Sequence, residues 1–177
     1  MGPDDLGYSA HKRTSPPAPS TTAEEPLVAL RLATTYADRT RHVDVGLRGR
    51  ESVVAVDGEA TTFPTERLWP VLRDLLPPLA QLRADPRTRP APPDEERTPG
   101  PGFVDDCRAL VAVATVAGDE VTVRTWLATD DELWSVEPRP DGTTRTTEAP
   151  AGALADLLVW DVTAALEALV LADRSAS

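Results

Sequence analysis

Residues 121–162 read VTVRTWLATDDELWSVEPRPDGTTRTTEAPAGALADLLVWDV. Val121, Val123, Thr125 and Leu127 fall on alternate positions, the period of a half-buried strand. Asp130-Asp131 turns the chain into a second strand, Leu133 to Glu137. Asp141-Gly142 is a hairpin signal, because glycine accepts positive φ without a steric penalty. A strand over Thr143 to Thr147 leads into a helix over Ala151 to Leu171. There Leu154, Leu157, Leu158, Val162, Ala165, Leu166 and Leu169 make one apolar stripe at helical spacing. Ala109 to Val116 supplies a strand ahead of this block, so the order is four strands and then a helix.

The same order is legible upstream. Leu27 to Thr35 and Arg41 to Arg48 read as strands, the second with Val43, Val45 and Leu47 alternating. Gly49-Arg50 turns into Glu51 to Val56, and Asp57-Gly58 is a second hairpin signal. A short strand near Ala60 to Phe63 precedes a helix from Thr65 to Leu76, striped by Leu68, Leu72, Leu75 and Leu76. Both helices carry L-x-D-L-L: Leu72, Asp74, Leu75 and Leu76, then Leu154, Asp156, Leu157 and Leu158. The expected fold is α+β. Two quasi-repeated ββββα halves form antiparallel sheet with the helices packed on one face, related by a pseudo-two-fold axis. A half of roughly 55 to 70 residues is marginal alone, so the halves are expected to share one core.

The flanking composition sets the domain plan. Residues 1–26 lack periodic apolar positions and are expected to be a disordered tail, with 174–177 a short tail at the other end. Residues 84–102, ADPRTRPAPPDEERTPGPG, read as a proline-rich linker between repeat 1 (27–83) and repeat 2 (103–173).

Charge and composition exclude several functions. The 177 residues hold 18 Lys and Arg against 29 Asp and Glu, a net charge of -11. Phosphate binding runs on clustered positive charge, so neither nucleic acid nor an anionic membrane is the expected partner. One cysteine excludes an internal disulfide framework and any zinc site built on several thiolates. Two histidines exclude a His-rich metal cluster. The start carries no apolar signal region, and Asp156, Asp161 and Glu167 interrupt the longest apolar stretch, so the expected location is cytoplasmic. Asn and Ile are absent and Lys12 stands alone beside 17 Arg, the bias of a high-GC genome, as in actinobacteria.

No catalytic constellation, cofactor fingerprint or metal motif is present in the sequence. His42 reads as a polar strand residue and His11 lies in the tail. Cys107 reads as a buried small hydrophobe, having no adjacent base to activate it. Asp105-Asp106, Asp119-Glu120 and Asp130-Asp131-Glu132 read as solvated turns, where successive carboxylates diverge. Trp69 and Trp160 sit on the helices as packing residues.

Two other tryptophans bear on binding. Trp126 is out of phase with Val121, Val123 and Leu127, and shares its side with Arg124. Trp134 and Val136 share a face of the next strand. Tryptophan and arginine anchor interfaces, so Arg124, Trp126 and Trp134 are the candidate protein-binding residues, on the sheet face left open by the helices. The alternative is that the two tryptophans pack on each other or under the linker.

The stretches HVDVGLRGRESVVAVDGEATTFPTERLWPVLRDLLP (42–77) and 121–162 resemble the EspG family, cytosolic specificity chaperones of type VII (ESX) secretion. Members of that family run from paired strands through a glycine-containing hairpin to a leucine-rich helix, in two quasi-repeated halves joined by a variable linker. The resemblance implies a non-enzymatic chaperone or adaptor that binds helical-hairpin secretion substrates of PE/PPE type. The chain departs from the pattern in being shorter and in opening on a Pro/Ser tail where a helical segment is usual. The alternative partner is a basic toxin, for which an acidic chain would serve as an immunity or inhibitor protein.

Overall fold

The computed structural model describes residues 26–87, 97–100 and 102–176. The expected tail lies outside the described residues up to 25, as do linker residues 88–96 and 101. Eight strands form one open antiparallel sheet in the order β4-β3-β2-β1-β5-β6-β7-β8. They are β1 Val28–Tyr36, β2 Arg39–Leu47, β3 Glu51–Val56, β4 Glu59–Pro64, β5 Ala109–Ala117, β6 Glu120–Ala128, β7 Leu133–Pro138 and β8 Thr144–Ala149. Each expected strand is present, with ends that differ by a residue or two.

The two central strands close the sheet. β1 and β5 pair antiparallel from Val28 opposite Ala117 to Tyr36 opposite Ala109. β5 reads ALVAVATVA, with Ala109, Val111 and Val113 buried in the core and Leu110 and Val116 exposed on the other side.

Helices cover one face. A 3₁₀ turn at Thr65–Arg67 leads into α1, Leu68–Leu75. Pro70 is tolerated in its first turn, where its missing N–H would have no partner anyway, and Pro77-Pro78 ends the helix. Arg83 caps it: its Nε donates to the carbonyls of Leu76 and Pro77, each at 3.1 Å. α2 (Ala80–Arg83) and α3 (Phe103–Asp106) are single turns that the sequence reading missed. The last helix comprises α4 (Ala153–Asp156), a π-helical turn at Leu157–Val162 and α5 (Thr163–Ala176). It runs five residues past the expected end at Leu171 and takes in part of the expected 174–177 tail. The Thr163 hydroxyl donates to the Val159 carbonyl in the widened turn.

Leu68, Leu72, Leu76, Leu154, Leu158, Val162 and Leu166 form the stripe expected from the sequence. They pack on Val28, Leu30, Leu32, Val43, Val45, Val111, Val113 and Trp126 in one continuous cluster. Burying each of these leucines is worth about 1.5–3 kcal/mol. Trp69 is buried as expected, but Trp160 is 44% exposed. The π turn carries it off the buried stripe.

The start of the chain's middle segment is fastened to the last helix. Asp156, 8% exposed on α4, accepts from the Arg87 backbone N–H at 2.8 Å and from its Nε at 2.7 Å. Gly152 opens α4 at φ 87° against the segment after α2. A Cβ there would stand 2.7 Å from the Asp85 carbonyl oxygen, so only glycine fits.

Candidate protein-binding face

The sheet face away from the helices can be read from the register. Opposite positions on adjacent strands share a face, and alternate residues along a strand switch faces. On β6, Trp126 and Ala128 are buried and pair with Val111 and Ala109 of β5, which belong to the core. Trp126 therefore lies on the helix side at 4% exposure, correcting the expectation that it stands on the open face. The sequence could not decide this, because both alternating rows of β6 contain large apolar residues.

The open face carries the other row. Val121 and Val123 are 65% and 58% exposed. They lie opposite Val116 and Ala114 of β5, and Leu110 lies opposite Leu127. Leu110 and Val116 are also exposed. Ala29 and Ala33 of β1 continue the surface, paired with Val116 and Ala112. Val136 extends it on the far side, opposite Thr125. The rows on β5 and β6 contain no charged residue. No described element covers this contiguous apolar face, which makes it a candidate interaction surface.

Trp134 is on this open face, opposite Leu127 and Glu148, yet only 1% exposed. The segment before β5 covers it. Phe103 of α3 meets the Trp134 ring edge-on at 5.2 Å between centroids. The Arg97 guanidinium stands 5.8 Å from the ring centre. Of the two readings open for this side chain, the structure has it under the linker. Arg124 points to the helix side, where it approaches Asp161 at 3.8 Å. Arg124, Trp126 and Trp134 therefore do not form one surface, and Trp126 and Trp134 are not exposed anchors.

The remaining sequence candidates fall apart similarly. His42 is exposed on the open face of β2, opposite Ala33. Cys107 is half-buried, its thiol donating to the Ala109 carbonyl at 3.4 Å. Among the described residues no group of three or more His, Cys, Asp or Glu side chains is placed to hold a metal ion. The Asp130 turn is organised by Thr129, whose hydroxyl accepts the Glu132 backbone N–H at 2.9 Å. Arg108 pairs with Asp130 at 3.2 Å. Among the described residues no helix is long and apolar enough to cross a membrane. The sequence signal for the site was the Val121–Val123 alternation itself, which reads equally well as a core row until the helices are placed.

Comparison with family models, with curated proteins and with solved structures gives no match for this chain.

Proposed function

We propose that this chain is a non-enzymatic protein-binding adaptor or chaperone, acting in the cytoplasm, of the kind the EspG resemblance implies. The observation that carries the reading is the uncharged, exposed apolar row of Val116, Val121 and Val123 on the open sheet face. Valines exposed to this degree contribute little to the fold and much to the burial available on association. The partner of this reading is a helical secretion substrate of PE/PPE type, kept soluble by having an apolar segment covered.

The reading includes a duplicated ββββα unit with a pseudo-two-fold between β1 and β5. In support, the strand order reads outward identically from that pair, and strand lengths run 9, 9, 6 and 6 residues on each side.

Co-expression with a PE/PPE-like helical hairpin is the test. Wild type should hold the hairpin soluble, and Val123→Asp should lose at least about tenfold in affinity, since a carboxylate would be buried unpaired. Affinity should change little with salt, because apolar docking is not screened. A steep loss with salt and indifference to Val123→Asp would instead support the toxin-neutralising alternative and end the adaptor reading.

A further inference from the structure

Arg97 is held where chemistry usually places a ligand. Its Nη2 is 3.1 Å from the Glu132 carboxylate and its Nη1 is 3.2 Å from that of Glu148. Its guanidinium also lies over Trp134. The side chain is nonetheless 60% exposed, so it adds little to the core. Beneath it, the Trp134 indole N–H is buried and has no acceptor among the described residues. Trp134, Phe103, Asp106, Arg108 and Glu132 line part of an adjacent hollow of about 390 Å³.

An aromatic face flanked by two carboxylates recognises a guanidinium through cation–π attraction and charge-assisted hydrogen bonds. Asp106 and Asp131 on the same hollow add negative potential, while Asp130 there is paired with Arg108. The unsatisfied indole N–H asks for an oxygen acceptor, which an arginine side chain lacks and a peptide carbonyl supplies. The complete ligand is therefore an arginine together with its own backbone. We propose that Trp134, Glu132 and Glu148 form a recognition site for an arginine on a partner polypeptide, and that Arg97 fills it in the free protein as a tethered stand-in. This rests on the protein-binding reading above and adds a feature of the partner: a basic residue beside the apolar segment that meets Val121 and Val123. The hydrogen bond and charge of Glu148, then the charge of Glu132, hold the Arg97 guanidinium above its ordinary value, so the occupant is a full cation.

A tethered side chain competes at an effective concentration on the order of millimolar. Removing it should free the site for a small probe. The test uses the full chain, ¹⁵N-labelled, titrated with acetyl-Ala-Arg-Ala-amide and with its neutral citrulline analogue. The Trp134 indole N–H resonance is the readout, assigned through Trp134→Phe. Arg97→Ala should bind the arginine peptide at least tenfold more tightly than wild type and move that resonance. The citrulline peptide should move nothing, and adding Glu132→Gln and Glu148→Gln should abolish the response. No response in Arg97→Ala, equal response to both peptides, or shifts confined to another surface would overturn the proposal. If Arg97→Ala does not melt as a folded protein, Arg97→Gln carries the same titration with the same thresholds. A hairpin substrate still released by Val123→Asp while the arginine peptide fails would sink this site and leave the adaptor reading standing.

Discussion

The two central hairpins, β1–β2 and β5–β6, have the same strand lengths and opposite open faces. Position by position along each hairpin, Ala33 faces His42 where Ala114 faces Val123. Thr35 faces Thr40 where Val116 faces Val121, and Ala29 faces Gly46 where Leu110 faces Leu127. Arg31 pairs with Asp44 at 2.7 Å where Ala112 meets Thr125. The first hairpin thus presents polar and charged groups to solvent, and the second presents aliphatic ones. On the helix side both hairpins contribute residues to the same core. Folding demands apolar residues on that side in both, but it makes no such demand of the open side. The aliphatic open face of β5–β6 is therefore a property the fold did not require, which is why the proposed partner is placed there.

Substitutions can break or sharpen the contrast. The largest expected effect is on the shared side. Trp126→Ala should destabilise by about 3–5 kcal/mol, and Leu72→Ala and Leu158→Ala by about 2–5 kcal/mol each. All three should shift a single calorimetric transition; two separable transitions would mean that the halves do not share one core. Next comes the clasp between them. Asp156→Ala removes the acceptor of the Arg87 N–H and its charge partner, and should cost about 2 kcal/mol in urea unfolding. On the open side, Val123→Asp should change stability by less than about 1 kcal/mol while releasing the partner. His42→Asp, at the matching place on the first hairpin, should do neither. Equal loss of partner from both would erase the distinction drawn between the two faces.

The smallest effect is at the β7–β8 turn. Asp141 accepts from the Thr143 hydroxyl at 2.6 Å and from its backbone N–H at 2.9 Å, which holds the carboxyl below the usual aspartate range. A depressed folded value stabilises above the unfolded one, about 3.9, and the contribution is lost as pH falls through the folded value. The protection factor of the Thr143 amide, its exchange rate relative to that of an unstructured amide at the same pH, should fall in that acid window. The β3–β4 turn has Asp57 and Gly58 both at positive φ. Both turns carry the same Asp-Gly signal, yet the first is a two-residue loop and the second spans five residues, 139–143. Pro140 lies inside the longer loop, where its missing N–H costs the ladder no bond.

Much of the architecture was legible because local chemistry sets it. Alternation marks strands, Asp-Gly marks hairpins, and leucines at helical spacing mark the two covering helices. Glycine and proline at fixed points decide where each element stops. The side on which each strand row falls was not legible. In β6 both rows carry large apolar residues, Val121, Val123 and Leu127 against Trp126 and Ala128, and the buried row also holds Glu120, Thr122 and Arg124, so alternation does not mark the core side. The choice follows from pairing with β5 and from where the helices dock, both of which depend on residues far away in sequence. The covering of Trp134 by Phe103 and Arg97 belongs to the same class, because it joins a proline-rich segment to a strand some thirty residues on. Sequence by itself determined the eight strands, the two covering helices and their order. Only the tertiary structure decided which row was buried and which was left exposed, because burial is settled by what packs against a surface and not by the surface's own residues.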